Sequence, residues 1–228
     1  MKYVIFDIDG TLVNTKNVED KCFMKAFEET FGLNIENQKW EDFKNVTDWG
    51  ITEEIIISEK GRTPLKEEYE LMIQNFTREL EYEKQNDKSQ FAEVLGAKEF
   101  FNELRKMEDV ELGIATGAWE KSANIKLGSI GIDMKNISFS NSDYYKSREA
   151  ITKDVVEQIK LKTKKEAERI IYFGDGEWDY KTCKNLGIEF IGIDIEEDDK
   201  LRKLGAQIVF KNYIKKEEIL RVINKGAI

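Results

Sequence analysis

Short runs of apolar residues alternate along most of the chain with longer segments whose apolar residues recur at helical spacing. The runs are rich in Ile, Val and Phe, and they predict β-strands at residues 2–6, 111–115, 137–139, 169–173, 189–193 and 207–210. Strands that alternate with helices indicate an α/β fold, here a Rossmann-like, doubly wound parallel sheet with helices on both faces. Sheets of this kind bind ligands beyond the carboxyl ends of their strands.

The alternation is interrupted between residues 17 and 95, where the pattern is helical and predicts no strand. Phe23, Phe27 and Phe31, for example, repeat every four residues. Because this stretch is far longer than one crossover connection requires, we expect residues 17–91 to form a helical cap domain. Residues 1–16 and 92–228 then form the α/β core domain. The alternative is that these helices only cover one face of the sheet.

The composition narrows the classes of function. The 228 residues are 40% hydrophobic and can support a substantial core, and the net charge of -9 argues against nucleic acid or an anionic membrane as partner. A small anionic substrate is still compatible with this charge, since the field within a site is local.

The chain begins without a signal-peptide pattern, and Cys22 and Cys183 lie far apart. We therefore expect a cytoplasmic protein with two buried, reduced thiols, and a monomer by default.

The chain contains no histidine. This absence excludes a histidine base, a Ser-His-Asp triad and zinc sites built on histidine. Catalysis would therefore have to use carboxylates, hydroxyls, lysine, arginine and metal ions that prefer oxygen ligands, such as Mg2+.

Two carboxylates, Asp7 and Asp9, directly follow the first predicted strand and precede the turn Gly10-Thr11. Acids two positions apart point the same way from an extended segment, and at neutral pH they repel unless a cation joins them or one is protonated. The pattern therefore predicts a metal site or an acid/base pair. Capping or plain solvent exposure is the ordinary alternative. A calcium loop is excluded, because a strand precedes these acids and Val18 stands where the bidentate acid would be needed.

Two further turns carry groups suited to an anion. Thr116 and Gly117 follow a predicted strand and precede a helix that begins near Glu120, so a hydroxyl and free N–H groups meet at a helix start. Lys146 and Arg148 stand at the start of a helix predicted to run to about residue 159, where cations oppose the helix dipole and an anionic partner would explain them. Alone, the first turn is an ordinary N-cap and the second a solvated charge cluster.

A fourth turn, Gly174-Asp175-Gly176, again ends a strand in an acid, and Asp179 follows in the next helix. Glycines allow the backbone to approach a ligand closely. Because the carboxyl ends of parallel strands meet at one edge, we expect the four turns to converge there. Their acids would concentrate negative charge that Mg2+ and a basic side chain can offset.

These residues resemble the haloacid dehalogenase superfamily, whose members are mostly phosphatases. The first signature matches as DIDGT, the second as Thr116 at a strand end, and the fourth as GDGEWD. The helical residues 17–91 are placed like the cap of the branch that includes phosphoglycolate phosphatase and beta-phosphoglucomutase. The third signature, a Lys or Arg before a helix, lacks the usual prolines. The Ser-Arg-Glu pattern favours Arg148. Aligning the signature without a gap on Ile151 selects Lys146 instead.

The resemblance implies that Asp7 attacks phosphorus to form an aspartyl-phosphate, and that Asp9 protonates the leaving oxygen and then deprotonates water. It also implies a Mg2+ cofactor held by Asp7, the main-chain carbonyl of Asp9, Asp175 and Asp179.

The remaining residues implied by the resemblance bind the phosphoryl group. They are Thr11, Thr116, the Gly117 N–H and Arg148 or Lys146. The loop at residues 43–50 would face the site and contribute to selectivity, with Lys44 able to meet an anionic substrate. Ordinary connecting surface is the alternative for this loop.

The function expected first is therefore a Mg2+-dependent phosphatase that acts on a small phosphorylated metabolite. A sugar-phosphate mutase uses the same core and cap and is the second candidate. A non-catalytic phosphate-binding protein on the same fold is the third, although Asp7, Asp9 and Asp175 argue against it. C–halogen cleavage is disfavoured, because haloacid dehalogenases lack the second acid.

Overall fold

A computed structural model describes residues 1–225, with only the backbone of residue 16, so residues 226–228 of the predicted core domain lie outside it. The strands are β1 (Lys2–Phe6), β2 (Val13–Asn14), β3 (Ala92–Glu93), β4 (Val110–Ala115), β5 (Ser138–Ser140), β6 (Arg169–Gly174), β7 (Glu189–Ile193) and β8 (Val209–Phe210). The helices are α1 (Lys16–Phe31), α2 (Asp48–Lys60), α3 (Lys66–Asn86), α4 (Ala97–Leu104), α5 (Glu120–Ile130), α6 (Arg148–Thr163), α7 (Glu177–Leu186), α8 (Lys200–Lys203) and α9 (Lys216–Lys225). Short 3-10 helices lie at Trp40–Asp42 and Lys88–Phe91.

The main sheet has six parallel strands in the order β5-β4-β1-β6-β7-β8. The last residue of β1, Phe6, is level with Ile114 of β4 and Phe173 of β6. The residues that follow these three strands therefore meet at one edge of the sheet. The chain order changes direction about β1, and such switch points open a crevice for ligands.

The central strand β1 is buried along its whole length because it packs on both faces. Val4 and Phe6 belong to a cluster on one side of the sheet, and Tyr3 and Ile5 to a cluster on the other. This follows from the two-residue repeat of a strand, and an apolar run without alternation is typical of a parallel strand covered on both faces. The predicted α/β sheet is thereby confirmed.

Several details of the sequence prediction are wrong. The strands predicted at 137–139 and 207–210 are Ser138–Ser140 and Val209–Phe210 in the structure. The short strand β3 lies within the stretch predicted to contain no strand, and it pairs antiparallel with β2. Two-residue strands leave too little periodicity to recognise. In addition, α6 continues to Thr163, beyond its predicted end near residue 159.

The helices between β2 and β3 share one hydrophobic cluster, in which Phe23 packs edge to face against Phe76 of α3. Trp119, which precedes α5, completes the cluster by stacking on Phe23. Both cysteines are free and buried, as predicted. Within the described residues, no helix has the length and apolar character needed to span a membrane.

Candidate active site

Asp7 stands directly beyond β1 and is 2% exposed. Its backbone N–H donates to the carbonyl of Phe173 at 2.9 Å, which continues the ladder of the sheet by one residue and fixes its position. Burial raises the pKa of the Asp7 carboxyl well above its usual value, and the nearby Asp179 and Asp175 add to this, whereas Arg148 opposes it. A cation at this point would relieve the repulsion among the acids.

Three carboxylates converge at the sheet edge. Oxygens of Asp7, Asp175 and Asp179 lie within 4.8 Å of one another. Asp179 is oriented by the N–H of Gly176, which donates to its Oδ2 at 3.1 Å, and by the Tyr172 hydroxyl, 3.2 Å from its Oδ1. An all-oxygen donor set of this kind fits a hard divalent cation such as Mg2+. The carboxyl of Asp9 lies outside this group.

Arg148 reaches the same point from the first residue of α6. Its Nη1 donates to Asp7 at 3.1 Å and to Asp179 at 2.9 Å, and its Nε donates to the carbonyl of Val46 at 2.9 Å. The two carboxylates offset the unfavourable position of a cation at a helix start. Gly117 makes room for the guanidinium, because a Cβ there would lie 2.7 Å from Arg148 Nη2.

The other two basic residues singled out in the sequence lie elsewhere. Lys146 pairs with Glu53 at 2.7 Å, lies over the ring of Trp49 and is 43% exposed. Lys44 lines a neighbouring cavity that shares Arg148 with the cavity at Asp7. Neither ammonium group joins the carboxylates around Asp7.

The two threonines of the predicted site are both buried. Thr116 is 1% exposed, and its hydroxyl accepts the N–H of Ala118 at 3.1 Å. The Thr11 hydroxyl makes no hydrogen bond within the described part of the chain. Both residues therefore lie beneath the surface of the cavity, where Gly117 and Ala118 form the lining.

Asp9 is held by partners that the sequence motifs do not reveal. Thr15 donates its hydroxyl to Asp9 Oδ1, and Lys126 donates to Asp9 Oδ2 at 2.7 Å. Lys126 also pairs with Glu19. The one signal in the sequence is that Lys126 shares the apolar face of α5 with Ala123 and Leu127, where a charged residue is unexpected.

The loop before α2 lies against the core next to these residues. The N–H of Asp48 donates to the carbonyl of Gly117 at 2.8 Å, and Asp48 Oδ2 accepts the N–H of Trp119 at 2.9 Å. Thr47 donates to the carbonyl of Lys146 at 2.7 Å. Burial raises the pKa of Asp48 to about 7.

These groups surround a cavity of about 250 Å³. Its walls are formed by Asp7, Asp9, Glu19, Asp20, Phe23, Trp40, Glu41, Val46, Thr47, Asp48, Ile51, Gly117, Ala118, Arg148, Asp175, Trp178 and Lys200. Acids outnumber bases in this lining, and both the core and the helices between β2 and β3 contribute. Of the two bases, Arg148 is already engaged with carboxylates.

Solved structures of similar fold include a hydrolase from Pseudomonas syringae (TM-score 0.73, 18% identity, 96% of this chain and 98% of that chain covered). A beta-phosphoglucomutase from Clostridium difficile has a TM-score of 0.69 and 16% identity, with 98% of this chain and 97% of that chain covered. A predicted phosphoglycolate phosphatase from Haemophilus somnus has a TM-score of 0.62 and 15% identity, with 96% of this chain and 98% of that chain covered. No curated protein matches the chain. The model of the family described as haloacid dehalogenase-like hydrolase matches residues 4–193, a range that contains every strand-end group around Asp7. The chain therefore belongs to the haloacid dehalogenase-like hydrolase family.

Proposed function

We propose that this protein is a Mg2+-dependent phosphatase that hydrolyses a small phosphorylated metabolite through an aspartyl-phosphate intermediate. The observation that carries the proposal is the buried Asp7 at a strand end, with Asp175 and Asp179 within 4.8 Å and Arg148 beside it. The names of two similar structures, a phosphoglycolate phosphatase and a beta-phosphoglucomutase, also support phosphoryl chemistry. Two buried free thiols are compatible with a cytoplasmic location.

In the first step, Asp7 attacks phosphorus and the ester P–O bond breaks. The departing oxygen takes a proton from the carboxyl of Asp9 and leaves as an alcohol. In the second step, water attacks the phosphorus of the aspartyl-phosphate, returns a proton to Asp9 and releases phosphate and the Asp7 carboxylate.

Asp7, Asp175 and Asp179, with the main-chain carbonyl of Asp9, would hold Mg2+, which when bound neutralises charge on the phosphoryl oxygens. Because both oxygens of Asp179 also accept hydrogen bonds, this residue would in addition orient Arg148 and the backbone of Gly176 around the ion.

Arg148 is the basic residue that we assign to the phosphoryl group, because its guanidinium lies 3.1 Å from Asp7. Gly117 lines the cavity, and its N–H would hold an equatorial oxygen, with the buried Thr116 and Thr11 directly behind this lining. Preorganised donors of this kind stabilise the charge that spreads over these oxygens in the transition state.

Residues 17–91 are proposed to act as a cap that excludes water while phosphorus is attacked. Several hydrogen bonds join the start of α2 and the loop before it to the core, including those between Asp48 and Gly117 and between Val46 and Arg148. The last of these links the docked cap directly to the residue that contacts Asp7.

Hydrolysis is favoured over the mutase alternative by the charge of the cavity. A sugar-phosphate mutase must hold a second phosphate group in the leaving-group half of its site. Besides the groups around Asp7, the lining of this cavity includes the acids Glu19, Asp20 and Asp48. Two phosphates would therefore meet mainly acids.

The test is release of inorganic phosphate from a panel of phosphomonoesters, with Mg2+ or with EDTA. We expect release with Mg2+ and loss of release with EDTA. Asp7→Asn, which preserves shape, should abolish turnover without unfolding the protein. Asp194→Asn, directly after strand β7 and two strands away from β1, is the matched control and should keep activity. Normal turnover by Asp7→Asn would rule out the nucleophile, and phosphate binding without release would indicate a non-catalytic protein.

A further inference from the structure

A fully buried lysine lies behind the catalytic acids, and the mechanism above assigns it no role. The side chain of Lys126 is 0% exposed, and it projects from the apolar face of α5. Its ammonium group contacts Asp9 Oδ2 at 2.7 Å and a carboxylate oxygen of Glu19. A buried charge is costly, and an apolar residue of similar size would fill this position without that cost.

The surroundings keep Lys126 charged. Two carboxylates compensate its charge, because the ammonium group lies 2.7 Å from Asp9 Oδ2 and also contacts a carboxylate oxygen of Glu19. The Lys126 ammonium is therefore shared between two carboxylates rather than paired with one.

The contacts fix the orientation of Asp9. Its Oδ1 accepts from Thr15 and its Oδ2 accepts from Lys126, so both ends of the carboxyl group have a partner. Free rotation about the side-chain bonds would break one of these two contacts. Thr15 is itself 1% exposed and comes from the end of β2, whereas Lys126 comes from α5, so two separate elements hold one carboxyl group.

We propose that Lys126 is a positioning residue that, with Thr15, orients the Asp9 carboxyl for proton transfer to the leaving-group oxygen. The inference rests on the proposed phosphatase function and assigns Lys126 no contact with substrate. Glu19 serves to balance the charge of Lys126, which allows the lysine to be buried next to a single catalytic carboxyl.

The consequence is a dependence on the leaving group. When the P–O bond of an alkyl phosphate breaks, the departing alkoxide is a strong base and needs the proton from Asp9. The p-nitrophenolate ion is a weak base and departs without that proton. Misplacing Asp9 should therefore slow the first reaction far more than the second, whereas general loosening of the fold slows both alike.

The experiment compares kcat/KM for p-nitrophenyl phosphate and for the alkyl phosphate that the wild-type enzyme hydrolyses fastest. The variants are Lys126→Met and, as a matched control on the exposed side of α5, Lys121→Met. For Lys126→Met we expect the alkyl phosphate to lose at least about tenfold more in kcat/KM than p-nitrophenyl phosphate, as for weakened general acid catalysis. Lys121→Met should keep both values.

Removing Lys126 alone leaves Asp9 and Glu19 as neighbouring like charges and could unfold the protein. The double variant Glu19→Gln/Lys126→Met removes the lysine without that repulsion and should show the same preference for p-nitrophenyl phosphate. Equal losses on both substrates, no loss, or faster hydrolysis of the alkyl phosphate would overturn the positioning role. If wild-type protein releases no phosphate from either compound, the proposed function fails instead.

Discussion

At the scale of single residues, a guanidinium between two buried carboxylates dominates the proposed chemistry. Arg148 donates to Asp7, to Asp179 and to the carbonyl of Val46. The planar guanidinium donates to several acceptors in fixed directions. A lysine ammonium cannot reproduce this geometry. Lys146, two positions earlier, instead pairs with Glu53 near the surface.

Arg148→Lys should therefore lower kcat/KM for the best phosphomonoester on the order of 100-fold, although the charge is kept. Lys146→Met should stay within about threefold of wild type, since a half-exposed ion pair contributes little. Steady-state assays of both variants at saturating Mg2+ provide the measurement. A larger loss in Lys146→Met than in Arg148→Lys would reverse the assignment of the phosphoryl-binding cation.

The sequence could predict only part of this site. Asp7 and Asp175 directly follow apolar strands, so their common location follows from the geometry of a parallel sheet. The choice between Arg148 and Lys146 depends on which side chain turns inward from the start of α6. The partners of Asp9 could not be inferred, because Lys126 is brought to Asp9 by the packing of α5 and carries no local motif.

At the scale of elements, the long strands could be predicted from the sequence, whereas the short strands and the docking of helices could not. The strands β1 and β7 have the predicted bounds, since long apolar runs covered on both faces leave a strong pattern. The pair β2 and β3 was not predicted, because each strand has two residues and its partner is remote in sequence. How α2 docks on the core was also beyond the sequence, as it depends on side-chain contacts such as that of Asp48.

Burial of Asp48 where α2 packs on the core predicts a stability that depends on pH. Asp48, in the first turn of α2, has a pKa raised by burial to about 7, against 3.8 for an ordinary aspartate. Between these pH values the folded protein binds a proton that the unfolded chain has released. The free energy of unfolding should therefore fall as pH rises from about 4 to 7.

Asp48→Asn should remove this part of the pH dependence, because asparagine does not titrate and its oxygen can still accept the N–H of Trp119. Since each pKa unit corresponds to about 1.4 kcal/mol, the effect is at most about 4 kcal/mol across the window. Urea denaturation at several pH values measures it, with Asp42→Asn, an exposed acid in the same segment, as control. Identical pH slopes in wild type and Asp48→Asn would contradict the prediction.

At the scale of the whole molecule, the distribution of charge leads to a prediction about the substrates. The chain carries a net charge of -9, and acids also predominate in the lining of the cavity. In our proposal, Arg148 and Mg2+ bind the phosphoryl group. The cavity is also lined by the acids Glu19, Asp20 and Asp48 and by the aromatic rings of Phe23 and Trp40. A second anionic group on the substrate would therefore meet repulsion, whereas a cationic group would meet acids and aromatic faces.

Ethanolamine phosphate and 2-phosphoglycolate are a suitable pair to test this distribution, because they are similar in size and differ in the charge at the end remote from phosphorus. We expect kcat/KM to be higher for ethanolamine phosphate by about tenfold or more, which corresponds to about 1.4 kcal/mol. The difference should shrink as ionic strength rises, since salt screens charges at the open side of the cavity. Measuring both substrates at low and high salt separates charge from shape, because a shape preference does not respond to salt. Faster hydrolysis of 2-phosphoglycolate at low salt would show that the acids of the helical segment do not select the leaving group.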